Sequence, residues 1–263
     1  MKPLRLAIHG AAGRMGQRLI ALGAADKELS IVAALDSPQH PRLGEDAGMI
    51  AGIGSLGVPL TASLDAAVDA MIDFSVPAAA EKIIETCRRK KIPLVVATTG
   101  FDEAQTRKLH AAAQEIPLLW APNMSLAVNL TMKLAEVAAK ALNNRDADVE
   151  ILERHHRFKE DSPSGTALKF GRIIAGVMGQ TAHRHGREGR PGKRPHHEIG
   201  YHAIRVGDNP GEHTIVFGML GETIELTVRA TNRDCYVAGA LAAAKFLAGK
   251  KPGLYGMNDV LGL

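Results

Sequence analysis

Leu4-Arg5-Leu6-Ala7-Ile8-His9-Gly10-Ala11-Ala12-Gly13-Arg14-Met15-Gly16 is the stretch whose reading decides the fold. Leu4 to His9 is a short apolar run, glycines break it, and Met15, Leu19, Ile20 and Leu22 then recur at roughly helical spacing. The pattern predicts strand, tight turn, helix. Downstream it repeats: Ile31 to Leu35 is an apolar strand ending at Asp36, and a short helix is expected from Ser63, followed by a strand over Ala70 to Phe74. Pro77 suits the first turn of a helix through Arg89, because its missing N–H has no partner there. Pro93 to Ala97 and Pro117 to Ala121 read as strands on either side of a helix from Asp102 to Gln114. These strands are apolar throughout instead of at alternate positions, as a parallel sheet covered on both faces requires.

The pattern changes after residue 121. Ser125 can cap a long helix whose stripe is Leu126, Leu130, Leu134, Val137, Ala138, Ala141 and Leu142. Val149 to Leu152 is strand-like, Thr166 to Met178 helical, and Gly179 to Gly200 polar and broken by Gly and Pro. Ile204 to Val206, Thr214 to Met219 and Thr223 to Arg229 read as strands of an antiparallel or mixed sheet. Cys235 to Leu247 returns to an Ala-rich helical pattern, and the tail from Leu254 to Leu263 is too apolar to face solvent.

Composition narrows the class. The 263 residues are 46% apolar and 23% charged, which excludes global disorder, while 27 glycines and only 4% aromatics favour α/β over an aromatic-rich sandwich. A net charge of +4 does not by itself imply nucleic acid, though a pI of 9.1 suits an anionic ligand. Cys87 and Cys235 lie far apart, with no partners at metal-ligand spacing, and are expected to be free thiols in a cytoplasmic protein. Glycines and Arg14 interrupt the N-terminal apolar run before a signal-peptide core is complete, and the longest uncharged runs, Gly48 to Leu64 and Ile116 to Met132, are broken by Gly or Pro. No membrane and no nucleic-acid partner is expected.

A glycine turn between a first strand and a first helix is the context of a dinucleotide site: small residues let backbone approach a pyrophosphate, which faces free N–H groups at the helix start. Ala12 departs from the G-x-G-x-x-G form. Asp36 strengthens the reading, since a carboxylate at the end of the second strand can accept both hydroxyls of an adenosine ribose. It would repel a 2'-phosphate, and Ser37 supplies no neighbouring guanidinium, so NADH is expected over NADPH. Arg14 could still reach an anionic group.

The densest chemistry lies in Glu153-Arg154-His155-His156-Arg157-Phe158-Lys159-Glu160-Asp161-Ser162-Pro163-Ser164-Gly165-Thr166-Ala167. Ser164 can cap a helix whose Gly165 and Thr166 N–H groups would face a carboxylate or phosphate, with His155, His156 and Lys159 as further donors. No metal is expected, because no third ligand lies at a familiar interval from the histidine pair. A second basic stretch from His183 to His197 contains no aromatic residue for base stacking, and reads as a mobile loop approaching an acidic ligand or a neighbouring subunit.

On these motifs, together with Ala97-Thr98-Thr99-Gly100-Phe101, Ala121-Pro122-Asn123-Met124-Ser125 and Gly211-Glu212-His213-Thr214, the chain resembles the 4-hydroxy-tetrahydrodipicolinate (dihydrodipicolinate) reductases along essentially its whole length. The resemblance implies a Rossmann-like parallel-sheet nucleotide domain over residues 1–125, completed by 236–263. It implies an inserted α+β substrate-binding and tetramerisation domain over 126–235, with hinges near Ser125 and Cys235 that let the reactants meet in a closed site. By the same resemblance, Gly10, Ala11, Ala12, Gly13, Arg14, Met15 and Asp36 hold the adenosine and pyrophosphate half of NADH or NADPH. Ala97, Thr98, Thr99, Ala121, Pro122, Asn123 and Met124 flank the nicotinamide. His155 is the implied general acid and Lys159 its catalytic partner, while His156, Gly165 and Thr166 bind carboxylates of a cyclic dicarboxylate imine. Where the family often has Gly and Phe, this chain has Ala97 and Met124. Two other readings share the fold: a different NAD-dependent dicarboxylate reductase, and an NADH-binding redox regulator without turnover.

Overall fold

The computed structural model describes residues 2–263. The chain begins β1 (Leu4–His9), α1 (Arg14–Ala25), β2 (Leu29–Leu35), α2 (Ala47–Ile50), β3 (Leu60–Thr61), β4 (Ala70–Asp73), α3 (Pro77–Lys90), β5 (Leu94–Val96), α4 (Glu103–Ala113) and β6 (Pro117–Trp120). It continues with α5 (Leu126–Leu142), β7 (Asp148–His155), α6 (Gly165–Met178), β8 (Ala182–His185), β9 (Glu198–Arg205), β10 (Glu212–Met219) and β11 (Glu222–Arg229). It ends with α7 (Asp234–Leu247), β12 (Gly253–Tyr255) and α8 (Met257–Leu261). Two compact units result, one of residues 1–126 with 234–263 and one of 127–233.

The first unit is a parallel sheet of seven strands in the order β12-β6-β5-β4-β1-β2-β3. Alternation along β1 sends Leu6 and Ile8 to one face, with Leu19 and Ile20 of α1 and Val237 and Ala240 of α7, and Ala7 to the other, with Ile83 of α3 and Leu109 of α4. Both faces are therefore buried, and the uninterrupted apolar strands follow from that. Local signals set the helix ends. Pro77 opens α3 and Lys91 closes it in the left-handed conformation, while Asp102 and Gln105 form a reciprocal capping box on α4. The chain leaves β1 first toward β2 and later crosses to β4 on the opposite side. The carboxyl ends of β1 and β4 thus form the switch point where ligands bind in open α/β sheets.

The second unit is a mixed sheet of order β11-β10-β7-β9-β8, with β7, β9 and β8 mutually parallel and β10 antiparallel to both its neighbours. α5 and α6 cover one face, where Val128, Met132, Phe170 and Ile174 meet Val149, Ile151, Tyr201, Ile215 and Phe217.

Several expectations need correction. No helix starts at Ser63: residues 62–69 are irregular, Ser63 Oγ bonds Asp65, and Leu64 is buried in the core, so the Ser-Leu-Asp sequence makes a local side-chain contact instead of a helix cap. β7 runs to His155, three residues beyond Leu152, and β9 starts at Glu198, six before Ile204. The stretch from Gly179 to Gly200 contains β8 and is tied to its own sheet. Arg187 bonds Glu150 and Glu198, and Arg194 bonds Asp148, Glu150 and the Val149 and Glu198 carbonyls. Burial would raise the Glu150 carboxyl, but Arg187, Arg194 and His202 outweigh it and hold it down at about 2. A half-buried carboxylate on the helix-free face of the sheet needs cations, and this loop supplies them.

Candidate functional site

The functional residues form two groups, one in each unit. In the first, Gly10 follows β1 with φ +75°, and a Cβ there would lie 2.5 Å from the Phe74 carbonyl oxygen, so only glycine lets the turn pass β4. α1 begins immediately after, and its first-turn N–H groups have no carbonyl four residues back to reach. Asp36, just beyond β2, closes over the turn: one carboxylate oxygen accepts the Ala12 N–H at 2.9 Å and the other the Ser37 N–H at 2.8 Å. Each oxygen keeps a lone pair for a hydroxyl donor. Gly10, Ala12, Gly13 and Asp36 line a groove of about 900 Å³. Its walls also include Lys82, Arg89 and Lys90 of α3. Ala11 is buried, its N–H donated to the Leu35 carbonyl, while Arg14 is exposed and Met15 packs against the core. A free-N–H helix start, a tightly turned backbone and a carboxylate at the end of β2 fit a dinucleotide.

Beside this groove lies a buried polar cluster that the sequence does not announce. Asp73, fully buried at the end of β4, is in register with His9 of β1 and bonds its Nδ1 at 2.6 Å. The hydroxyls of Ser75 and Thr98 donate to the same carboxylate, each at 2.6 Å. Thr98, expected at the nicotinamide, is thereby tied to β1 and β4; Ala97 is also buried, and Thr99 is exposed. Trp120 closes β6, donating its indole N–H to the Thr98 carbonyl at 3.4 Å, with the Phe101 and His110 rings edge-on to it at 6.0 and 6.4 Å. Ala121 and Met124 are buried, Pro122 is exposed, and the Asn123 amide oxygen accepts the Ser125 N–H.

In the second unit, strand alternation explains the chemistry. Val149, Ile151, Glu153 and His155 share the helix-facing side of β7, so the apolar core gives way to two buried polar residues at the strand end. Register completes the cluster: His213 of β10 lies opposite Glu153, and Arg205 of β9 lies opposite His155. Glu153 is 2% exposed and accepts four hydrogen bonds. Oε2 takes His155 Nδ1 at 2.5 Å and Arg205 Nη1 at 2.8 Å; Oε1 takes Arg205 Nη2 at 2.7 Å and the Ser164 N–H at 3.1 Å. Burial would raise this carboxyl, but His155 and Arg205 hold it down at about 2. The His213 ring stands edge-on to His155 at 5.2 Å; burial first, and the His155 charge second, push its imidazole down to about 4. The Ser164 hydroxyl shares a hydrogen bond with His213 Nε2 at 3.1 Å.

Ser164 also caps α6, accepting the Ala167 N–H. Ahead of it, the Asp161 carboxylate bridges two expected ligand-binding groups, Lys159 Nζ at 2.6 Å and the Gly165 N–H at 3.3 Å, and Lys159 holds it below the ordinary carboxylate range. His156 is half-buried beside Phe158, and its Nδ1 has no protein partner. Thr166 follows Gly165 in the first turn. Gly211, with φ +149°, runs past the His155 ring so closely that a Cβ would lie 3.0 Å from Nε2. His155, His156, Lys159, Gly165 and Thr166 thus fall in one region, and the structure joins to them Glu153 from the same stretch, His213 from the Gly211–Thr214 motif, and Arg205, which no sequence motif singles out. The polar residues continuing the Val149–Ile151 alternation are a signal for Glu153, whereas Arg205 and His213 depend on strand register. Among the described residues no group of three or more His, Cys, Asp or Glu is placed to hold a metal ion, and no helix is long and apolar enough to cross a membrane.

Comparison with known proteins bears on both units. Residues 4–124 match the family model described as dihydrodipicolinate reductase, N-terminus, and residues 127–261 that described as its C-terminus. The chain is 58% identical to the 4-hydroxy-tetrahydrodipicolinate reductase of Rhodopirellula baltica, covering 99% of this chain and 97% of that one. It is 50% identical to the enzyme of the same name from Alkalilimnicola ehrlichii, covering 98% and 99%. A dipicolinate-bound dihydrodipicolinate reductase from Paenisporosarcina sp. TG-14 superposes with a TM-score of 0.78 at 26% identity over 97% of each chain.

Proposed function

Since the chain belongs to the dihydrodipicolinate reductase family and catalyses the NAD(P)H-dependent reduction of 4-hydroxy-tetrahydrodipicolinate to tetrahydrodipicolinate in lysine (diaminopimelate) biosynthesis, we propose how its residues divide that work. When bound, the reduced nicotinamide would supply a hydride to the conjugated cyclic imine formed once the substrate's hydroxyl and a ring proton have left as water. Gly10 to Met15 and Asp36 hold the adenosine and diphosphate portions, and Ala97 to Thr99 with Ala121 to Met124 flank the nicotinamide. His155 delivers the proton that accompanies reduction, Lys159 provides positive charge beside the reacting ring, and His156, Gly165 and Thr166 bind its carboxylates.

The observation that carries this assignment is the Asp161 bridge. Lys159 Nζ and the Gly165 N–H converge on one carboxylate, the kind of group the substrate presents at each end. The substrate exchanges its own carboxylate for that of Asp161 at the start of α6. Steady-state reduction of the cyclic imine, run against open-chain semialdehydes, tests the activity. The Lys159→Ala and His155→Ala variants test the roles: wild-type kcat in both would overturn them.

NADH is the proposed preference, from Asp36 and the absence of a guanidinium at Ser37. A second reading, efficient use of NADPH, draws support from Lys82, Arg89 and Lys90 on the groove wall. The ratio of kcat/KM for the two cofactors decides between them. We also propose a cytoplasmic homotetramer that needs no metal. The helix-free face of the second sheet leaves Leu152 37% and Ile204 42% exposed, a surface suited to another copy. Light scattering that returned a monomer at working concentrations would remove the tetramer.

A further inference from the structure

We propose that Glu153, clamped by Arg205, is the positioning residue that fixes which nitrogen of His155 carries the exchangeable proton. This rests on the reading of His155 as proton donor. The Glu153 carboxylate is nearly sealed from solvent and its oxygens accept from four donors: His155 Nδ1, Arg205 Nη1 and Nη2, and the Ser164 N–H. Four donors use the whole acceptor capacity of a carboxylate. An ionised carboxylate only accepts, so Nδ1 of His155 must donate in both protonation states of the ring. Nε2 is then the atom that gives up and regains a proton, and it is the nitrogen facing Gly211. Rotating the ring to present Nδ1 instead would leave an oxygen of Glu153 unpaired in a buried site, a costly arrangement.

Arg205 has a distinct part in this device. A carboxylate facing imidazolium alone would hold the ring proton tightly, because the ion pair is lost when His155 releases it. Arg205 shares the same carboxylate through both terminal nitrogens, so Glu153 remains neutralised whether or not His155 is charged. Its backbone is fixed opposite His155 on β9, and Nη2 also donates to the Asp161 carbonyl at 2.7 Å. The other titratable groups of this site are His213 from β10, edge-on to the His155 ring and held neutral by burial, and, in the loop beyond β7, Lys159 paired with Asp161. None of these is placed to hold the ring nitrogen at hydrogen-bond distance as Glu153 does.

A merely structural ion pair would tolerate changes that this role does not. In Glu153→Gln the amide can present its NH₂ to Nδ1, which favours the opposite tautomer, as occurs when the aspartate of a Ser-His-Asp triad becomes asparagine. The expected result on the full-length enzyme is a kcat lower by about 10²-fold or more with the NADH dissociation constant unchanged by calorimetry. The alkaline limb of the kcat–pH profile should move to lower pH. Glu153→Asp, which restores the anion, should recover at least about tenfold of that loss, and Arg205→Met should move the same limb to higher pH. Because a buried-charge variant can fail to fold, the wild-type protein provides an independent reading: ring ¹⁵N shifts of His155, assigned by comparison with His155→Ala, should report an Nδ1-protonated neutral ring. An Nε2-protonated neutral ring, or a folded Glu153→Gln enzyme with wild-type kcat and pH profile, would overturn the inference. Wild-type turnover in His155→Ala would instead overturn the donor assignment beneath it.

Discussion

Replacing Gly211 with alanine adds one methyl group at a position where the structure leaves no space for it. With φ at +149° the backbone is in a region that side chains rarely adopt, which costs about 1–3 kcal/mol. In a chain of this size that lowers the melting temperature by roughly 2–12 °C, since each kcal/mol is worth about 2–4 °C. The larger effect concerns chemistry. The new carbon would lie 3.0 Å from His155 Nε2 and 3.3 Å from Cδ2, tighter than ordinary contact, and it would cover the nitrogen assigned to proton delivery. Proton transfer needs a heavy-atom approach of about 2.6–3.2 Å, so a methyl at that distance takes the place of the substrate atom. Losing general acid catalysis costs about 10²–10⁴ in kcat, or roughly 3–5 kcal/mol of barrier. The NADH dissociation constant should stay constant, since the glycine turn and Asp36 belong to the other unit. Steady-state kinetics at a temperature where circular dichroism shows a native fold, paired with calorimetric NADH titration, make the test. A folded Gly211→Ala enzyme with kcat within about threefold of wild type would refute the assignment of Nε2 as the proton-delivering atom.

Three further outcomes are expected. Asp36→Arg should shift the NADPH/NADH ratio of kcat/KM upward by at least about tenfold, because it removes the charge that repels a 2'-phosphate and adds one that binds it; an unmoved ratio places Asp36 away from the ribose. Lys159→Ala should lower kcat by about 10²-fold, whereas His156→Ala should act mainly by raising KM, and steady-state kinetics on both would show the reverse split if the roles are exchanged. Stability should fall in mild acid. The His213 imidazole is lowered from 6.5 to about 4, so below pH 6.5 the unfolded chain takes up a proton that the native chain refuses, and stability drains away down to about pH 4. Glu153, lowered from 4.5 to about 2, stabilises above pH 4.5 and loses that contribution as pH falls toward 2. Each amounts to roughly 3 kcal/mol, because a tenfold difference in proton affinity between the folded and unfolded chains is worth about 1.4 kcal/mol. Urea midpoints that are no lower at pH 4.5 than at pH 7 would contradict this.

How much of this is legible in the sequence follows from the range of the interactions involved. The nucleotide half is written locally: an apolar strand, a glycine turn and a helix stripe are contiguous in Leu4 to Leu22, and Asp36 marks the end of the next strand. The ends of β7 and β9 escape the pattern because Glu153, His155 and Glu198 are polar residues on strands, and hydrophobic periodicity stops at such residues. Arg205 and His213 lie 52 and 60 positions from Glu153, counting 205 − 153 and 213 − 153, and only strand register brings them together. The contacts of the basic loop are equally non-local. Arg187 and Arg194 are partnered by Asp148, Glu150 and Glu198, which lie on two strands of the sheet.

Trp120 is the sole tryptophan of the chain, and its place at the end of β6 has an optical consequence. Its indole N–H is held by the Thr98 carbonyl, and the residue after it is Ala121, so the fluorophore is tied to both loops assigned to the nicotinamide. Indole emission overlaps the absorption band of reduced nicotinamide, and the Phe101 and His110 rings hold the indole edge-on. Unmodified protein therefore carries its own probe: energy transfer should report cofactor arrival, without a dye or a second tryptophan to confuse the signal.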